Sequence, residues 1–141
     1  MLTIGKLLTD ETGRISVRRV QSVESGAAKV ETTFESAGYL GGTHYTDLGT
    51  LWSVIRTDGT LYGEWKGGLR SDDNDTAVYR GITSGAYIDE ALHSRVYRGA
   101  LTFENAGGVF AELNSTLAVF EAVLDGDGKV TYRTWALGGD A

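Results

Sequence analysis

The sequence predicts an all-β fold, a single antiparallel and closed barrel of about eight strands spanning residues 1–141, and three observations carry that prediction. Apolar and polar residues alternate with period two from about Arg14 onward. Short turn signals rich in Asp, Asn and Gly separate the alternating runs. Twenty glycines occur with no proline, and they lie inside apolar and aromatic stretches, where sharply bent barrel strands need them.

Arg14 to Ser22 is the expected first strand. In Ala27 to Ser36, residues Ala28, Val30, Thr32 and Phe34 alternate with Lys29, Glu31, Thr33 and Glu35, so one face enters the core and the other meets water. Thr50 to Arg56 and Thr60 to Arg70 flank Thr57-Asp58-Gly59, a hairpin signal because Gly accepts positive φ. Thr76 to Ile88 and Leu92 to Asn105 follow, set off by Ser71-Asp72-Asp73-Asn74-Asp75 and by the Asp89-Glu90 corner. Val109 to Leu124 is a long apolar run; its β-branched and aromatic residues, and the hairpin signal Asp125-Gly126-Asp127-Gly128 after it, predict a strand over the alternative helix. Val130 to Leu137 ends the series. Strands in this number must stack as two sheets or close, and closure removes aggregation-prone edges.

Composition narrows the function. A chain of 141 residues buries about two-thirds of its unfolded surface and needs no staple. Zero cysteines remove disulfides, thiolate nucleophiles and cysteine metal sites. A net charge of −6 and a pI near 4.8 argue against nucleic-acid and anionic-membrane partners, which need clustered Lys and Arg. The apolar start, Met1 to Leu8, is interrupted by Gly5 and Lys6 and is too short for a signal peptide or membrane span, so a cytoplasmic location is expected.

Few residues carry chemistry. Thr60 to Arg70 has one apolar face, Leu61, Gly63, Trp65, Gly67 and Leu69, and one polar face, Tyr62, Glu64, Lys66 and Arg70. The polar face is expected outside unless a cavity turns it inward. An internal repeat, Val78-Tyr79-Arg80-Gly81 and Val96-Tyr97-Arg98-Gly99, sets two tyrosines or two arginines inside as a matched pair. Buried arginines would need Glu104, Glu112, Glu121 or an anion as partners; inward tyrosines would pack over glycine instead. His44 and His93 have Asp47 and Glu90 as neighbours, yet neither belongs to a metal-ligand pattern, and His44 sits in a Gly-rich stretch expected to be a loop. No phosphate loop, calcium loop or nucleophile elbow is present, so no metal or other cofactor is expected.

The strand count, the Gly-rich alternation, Thr57 to Glu64 and the run Tyr97-Arg98-Gly99-Ala100 to Leu113-Asn114 resemble small bacterial barrels of the allene-oxide-cyclase-like type. That resemblance spans Gly49 to Leu137 and implies an eight-stranded barrel with an apolar cavity, no cofactor and a tendency to self-associate. Plant cyclases of the group use a proline, a cysteine and a buried glutamate; this chain has neither Pro nor Cys, so only the fold transfers.

Three functions stay open. The leading one is binding of a small apolar or amphipathic ligand in the barrel, with Trp52, Trp65, Tyr79, Tyr97, Phe103 and Trp135 as walls and Arg80, Arg98 and Glu112 as anchors. A cofactor-independent isomerase or cyclase would use the same cavity with a buried Glu or Tyr. A ligand-free assembly module would fill its barrel with side chains and bury one outer face in a homo-oligomer.

Overall fold

The computed structural model describes residues 1–89 and 93–139. Eight antiparallel strands run β1 Leu2–Glu24, β2 Ala27–Leu40, β3 Thr43–Ile55, β4 Leu61–Ser71, β5 Thr76–Asp89, β6 Ser94–Glu104, β7 Leu117–Leu124 and β8 Lys129–Gly139. Each pairs with the next in sequence, and β1 returns to β8, so the sheet closes into a barrel. The Asp58-Gly59 hairpin forms as its residues dictate: Gly59 has φ 86, and Arg56 N–H bonds the Thr60 carbonyl at 2.7 Å.

Two expectations are corrected. The first strand starts at Leu2, not Arg14, and runs past both neighbours: Leu2 to Arg14 pair with β8, and Thr12 to Glu24 with β2. Register shifts between Ile4 and Leu7, Leu7 and Thr9, Ile15 and Val17, and Val20 and Ser22 break the period-two pattern, because each bulge inserts a residue and reverses the parity after it. The run Val109 to Leu124 is not one strand. Gly108–Ser115 is a 3-10 helix with Phe110 and Leu113 buried, and β7 begins only at Leu117. Gly108 takes φ 55 and Asp75 accepts the Val109 N–H at 3.1 Å, which turns the chain across the barrel end; Asn114 then clamps Ala106 through bonds of 2.9 and 2.7 Å.

Inside the ring, the predicted alternation holds on β4: Leu61, Trp65 and Leu69 are buried, while Glu64, Lys66 and Arg70 are exposed. Trp65 is the centre of the core. Its ring stacks on Tyr132 at 5.4 Å and 7° and meets Phe34, Phe120 and Tyr97 at 5.0, 5.3 and 6.3 Å.

Candidate functional site

The repeated Val-Tyr-Arg-Gly segments resolve as tyrosine in and arginine out. Tyr79 and Tyr97 are buried. Tyr79 lies across Gly49 and Gly67, and Tyr97 against Gly85, so an added Cβ at any of the three would collide with a ring. Arg80 and Arg98 stand on the outer face and pair with Glu104 at 3.1 Å and Glu121 at 2.8 Å. Exposed arginines find carboxylates on the next strand at low cost, whereas buried ones would need theirs desolvated as well.

Of the nine ligand-site residues expected from sequence, the barrel therefore brings together four, Trp65, Tyr79, Tyr97 and Phe103. Trp52, Arg80, Arg98 and Trp135 lie on the outer face by strand parity, and Glu112 is exposed on the 3-10 helix. Together with the helix, large aromatic side chains fill the interior. Among the described residues, the gap beside Glu11, Asp47, Tyr79 and Tyr132 is too small to admit a water molecule.

Two acids occupy that end of the barrel, Glu11, which the sequence did not single out, and Asp47, which it offered only as a neighbour of His44. Glu11 and Asp47 are each 1% exposed. Ser36 Oγ and Tyr45 Oη donate to the two Glu11 oxygens at 2.5 and 2.9 Å, and Tyr79 Oη donates to Asp47 Oδ1 at 2.7 Å. Burial raises the pKa of both carboxyls, most strongly for Asp47, where the Glu11 charge adds to it; for Glu11 the hydrogen bonds from Asp47, Ser36 and Tyr45 work in the opposite direction. Asp47 Oδ2 has no hydrogen-bond donor. Burial and the neighbouring Glu11 charge both favour the protonated form of Asp47, which removes the repulsion of two adjacent charges. The same burial lifts the phenols of Tyr45, Tyr79 and Tyr132 above their ordinary range.

An open groove lies outside the ring. A groove of about 960 Å³ runs along the outer face of β3 to β7. Strand register sets its residues in rows: Leu48, Gly68, Val78 and Glu104; Thr50, Lys66, Arg80 and Thr102; Trp52, Glu64, Ile82 and Ala100. Gly68 and Ala100 leave the floor low, and the apolar side chains of Leu48 and Ile82 are more than half exposed. Lys66 stands directly opposite Arg80, a cross-strand pair of like charges whose repulsion is offset on the Arg80 side by Glu104, 3.1 Å away on the same groove wall.

His44 lies in β3 rather than in a loop. It pairs with Asp72 at 3.0 Å and meets Tyr39 edge-on at 5.3 Å; Asp47, three residues on, is on the opposite face and out of reach. His93 sits in a turn with φ 59, and its expected neighbour Glu90 lies outside the described residues. Among the described residues no group of three or more His, Asp or Glu side chains could hold a metal, and no helix is long and apolar enough to cross a membrane.

No family model matches the chain, and no curated protein matches it either. Solved structures do. A conserved protein of unknown function from Rhodopseudomonas palustris is 14% identical with a TM-score of 0.79, covering 98% of this chain and 99% of its own. A protein with unknown function from Clostridium acetobutylicum is 12% identical with a TM-score of 0.77, covering 94% and 98%. A beta-barrel like protein from Acinetobacter baumannii is 14% identical with a TM-score of 0.78, covering 98% and 97%. At these identities the chain shares with them its fold, an antiparallel β-barrel over nearly the whole of each chain.

Proposed function

We propose that this protein binds a small amphipathic carboxylate, and that it does so in the groove on the outside of a filled barrel rather than within it. The observation that carries the proposal is the groove's composition: about 960 Å³ over a low apolar floor, with Lys66 and Arg80 opposed at its middle. That volume is in the range of sites for drug-sized ligands. A carboxylate there pairs with Lys66, which has no ion pair among the described residues, beside an Arg80 already held by Glu104, and an apolar tail covers Ile82, Ala100 and Trp52. In this reading Trp52 is a wall and Arg80 an anchor of the outer groove, not of the interior cavity in which they were expected. The charged side chains Glu64, Lys66, Arg80 and Arg98 on the outer face support a wall that meets water, not lipid tails. A relationship to the allene-oxide-cyclase-like barrels, and a cytoplasmic setting, belong to the same proposal. Eight strands joined in sequence order support the first.

Calorimetric titration with decanoate tests the proposal, with decyltrimethylammonium as the cationic counterpart. Decanoate is expected to bind and the cation not. Ile82→Asp, at a position 57% exposed, is expected to weaken decanoate by about 1–2 kcal/mol, roughly tenfold, its folding checked by thermal unfolding because the new Asp faces Glu64. Lys66→Glu is expected to do the same through charge. Equal affinity in all three proteins would remove the groove from consideration.

A second reading has its own support. Leu48, Val78, Ile82 and Leu117 are all at least 44% exposed around the groove, and a second copy of the chain seated there would cover them. Sedimentation separates the two: a dimer that Ile82→Asp dissociates, with no decanoate binding, makes this an assembly module. A cofactor-free isomerase would have to bring substrate to Glu11 and Asp47, which requires the helix-capped barrel end to open.

A further inference from the structure

We propose that the barrel mouth opposite the carboxyl pair is a second, separate binding site, one that takes a small oxyanion between Arg95 and Arg18. A pocket of about 320 Å³ opens there, lined by Arg18, Ser53, Tyr87 and Arg95 with Ile55 and Leu61 on its apolar side. Arg95, at the start of β6, is only 3% exposed. Its Nη1 donates to Tyr97 Oη at 3.2 Å, Tyr97 Oη donates in turn to Ser53 Oγ at 3.3 Å, and its Nε has no partner.

A guanidinium this deep normally has a carboxylate beside it, because an unpaired buried charge costs several kcal/mol. Four exposed arginines follow that pattern without needing to, whereas Arg14, Arg56 and Arg70, also exposed, have no ion pair among the described residues. Arg19, Arg80, Arg98 and Arg133 pair with Glu31, Glu104, Glu121 and Asp10 at 3.3, 3.1, 2.8 and 3.2 Å. Among the described residues neither Arg95 nor Arg18 has such an ion pair. Instead the two cations share one pocket, and burial together with the charge of Arg95 disfavours the protonated form of Arg18.

An oxyanion answers each of these features. It accepts from the Arg95 guanidinium that lines the pocket, in the forked geometry such groups favour, and it offsets the repulsion between the arginines. The volume is at the small end for ligand sites, so any apolar body attached to the anion is short, a single ring or a few carbons against Ile55 and Leu61. Carboxylates and phosphates share the required chemistry. Arg18 comes from the part of β1 that pairs with β2 alone, so the β1–β2 hairpin delivers one half of the site and the barrel wall the other.

The test uses nitrogen-labelled full-length protein and three probes, benzoate, phenyl phosphate and inorganic phosphate, at matched ionic strength. The Arg95 Nε–H resonance is expected to move along a saturable curve, and Arg18→Gln to weaken that binding about tenfold or more. Saturation by benzoate and phenyl phosphate alone assigns an oxyanion carried on an apolar body. Saturation by inorganic phosphate as well assigns the oxyanion by itself. Lys66→Glu leaves these curves in place while altering the outer groove, so the two sites fail or stand independently. Absence of saturable movement at Arg95 with all three probes, or an affinity indifferent to Arg18→Gln, overturns the proposal.

Discussion

Asp47 and Glu11 are two acids closed inside the barrel, and the consequence is measurable as stability. Both carboxyls have raised pKa values because burial disfavours their charge. The folded protein therefore keeps a proton that the unfolded chain releases once the pH passes the ordinary carboxylate range. The stability this contributes is complete below about pH 4 and is lost as the pH climbs through the raised values. Asp47→Asn removes the need for that proton: its amide oxygen still accepts from Tyr79, and its NH₂ donates to Glu11. Urea unfolding across about pH 5 to 9 is expected to show a flatter slope for Asp47→Asn, with a gain of about 1 kcal/mol or more at the alkaline end. Parallel slopes for the two proteins would deny the retained proton. Neither acid was legible as special in the sequence. Asp47 does share strand parity with Tyr45, Gly49 and Leu51, an inward set, and that was the available signal. Glu11 gave none, because the bulge between Leu7 and Thr9 hides its parity.

At the level of the strands, glycine placement separates inward from outward positions. A Cβ on Gly81 would collide with the Ala100 carbonyl oxygen and the Leu101 side chain, whereas one on Gly68 would meet only the Ala77 carbonyl oxygen, at 3.7 Å. Gly81→Ala is therefore expected to destabilise by about 1–3 kcal/mol, as overpacked cores do, and Gly68→Ala to be near neutral. Thermal unfolding of the two variants checks this, and equal midpoints would contradict the packing. The strands that were legible from sequence have unbroken alternation and a turn with a mechanism. β2 and the β3–β4 hairpin are the examples, although β3 starts at Thr43 because the Gly41-Gly42 turn, with φ 56 and 80, is shorter than its glycines suggest. The 3-10 helix was not legible. Its apolar residues plug the barrel end instead of joining the sheet, and an apolar run has the same composition in either role.

For the whole molecule, closure of the ring was predictable from strand number, but what fills it was not. Parity decides which residues face inward, and only the assembled ring shows that Trp65, Phe34, Phe120 and Tyr132 together leave no room among them. Four of the nine expected site residues went inside and became core; Trp52 and Arg80 went outside and line the groove. Binding of an amphipathic carboxylate in the outer groove is checked by mapping decanoate onto the protein with methyl-resolved NMR. Saturable shifts are expected at Ile82 and Ala100 with the methyls of Leu51, buried in the barrel, unmoved. Shifts at Leu51 with Ile82 and Ala100 unmoved would put the ligand inside and contradict it.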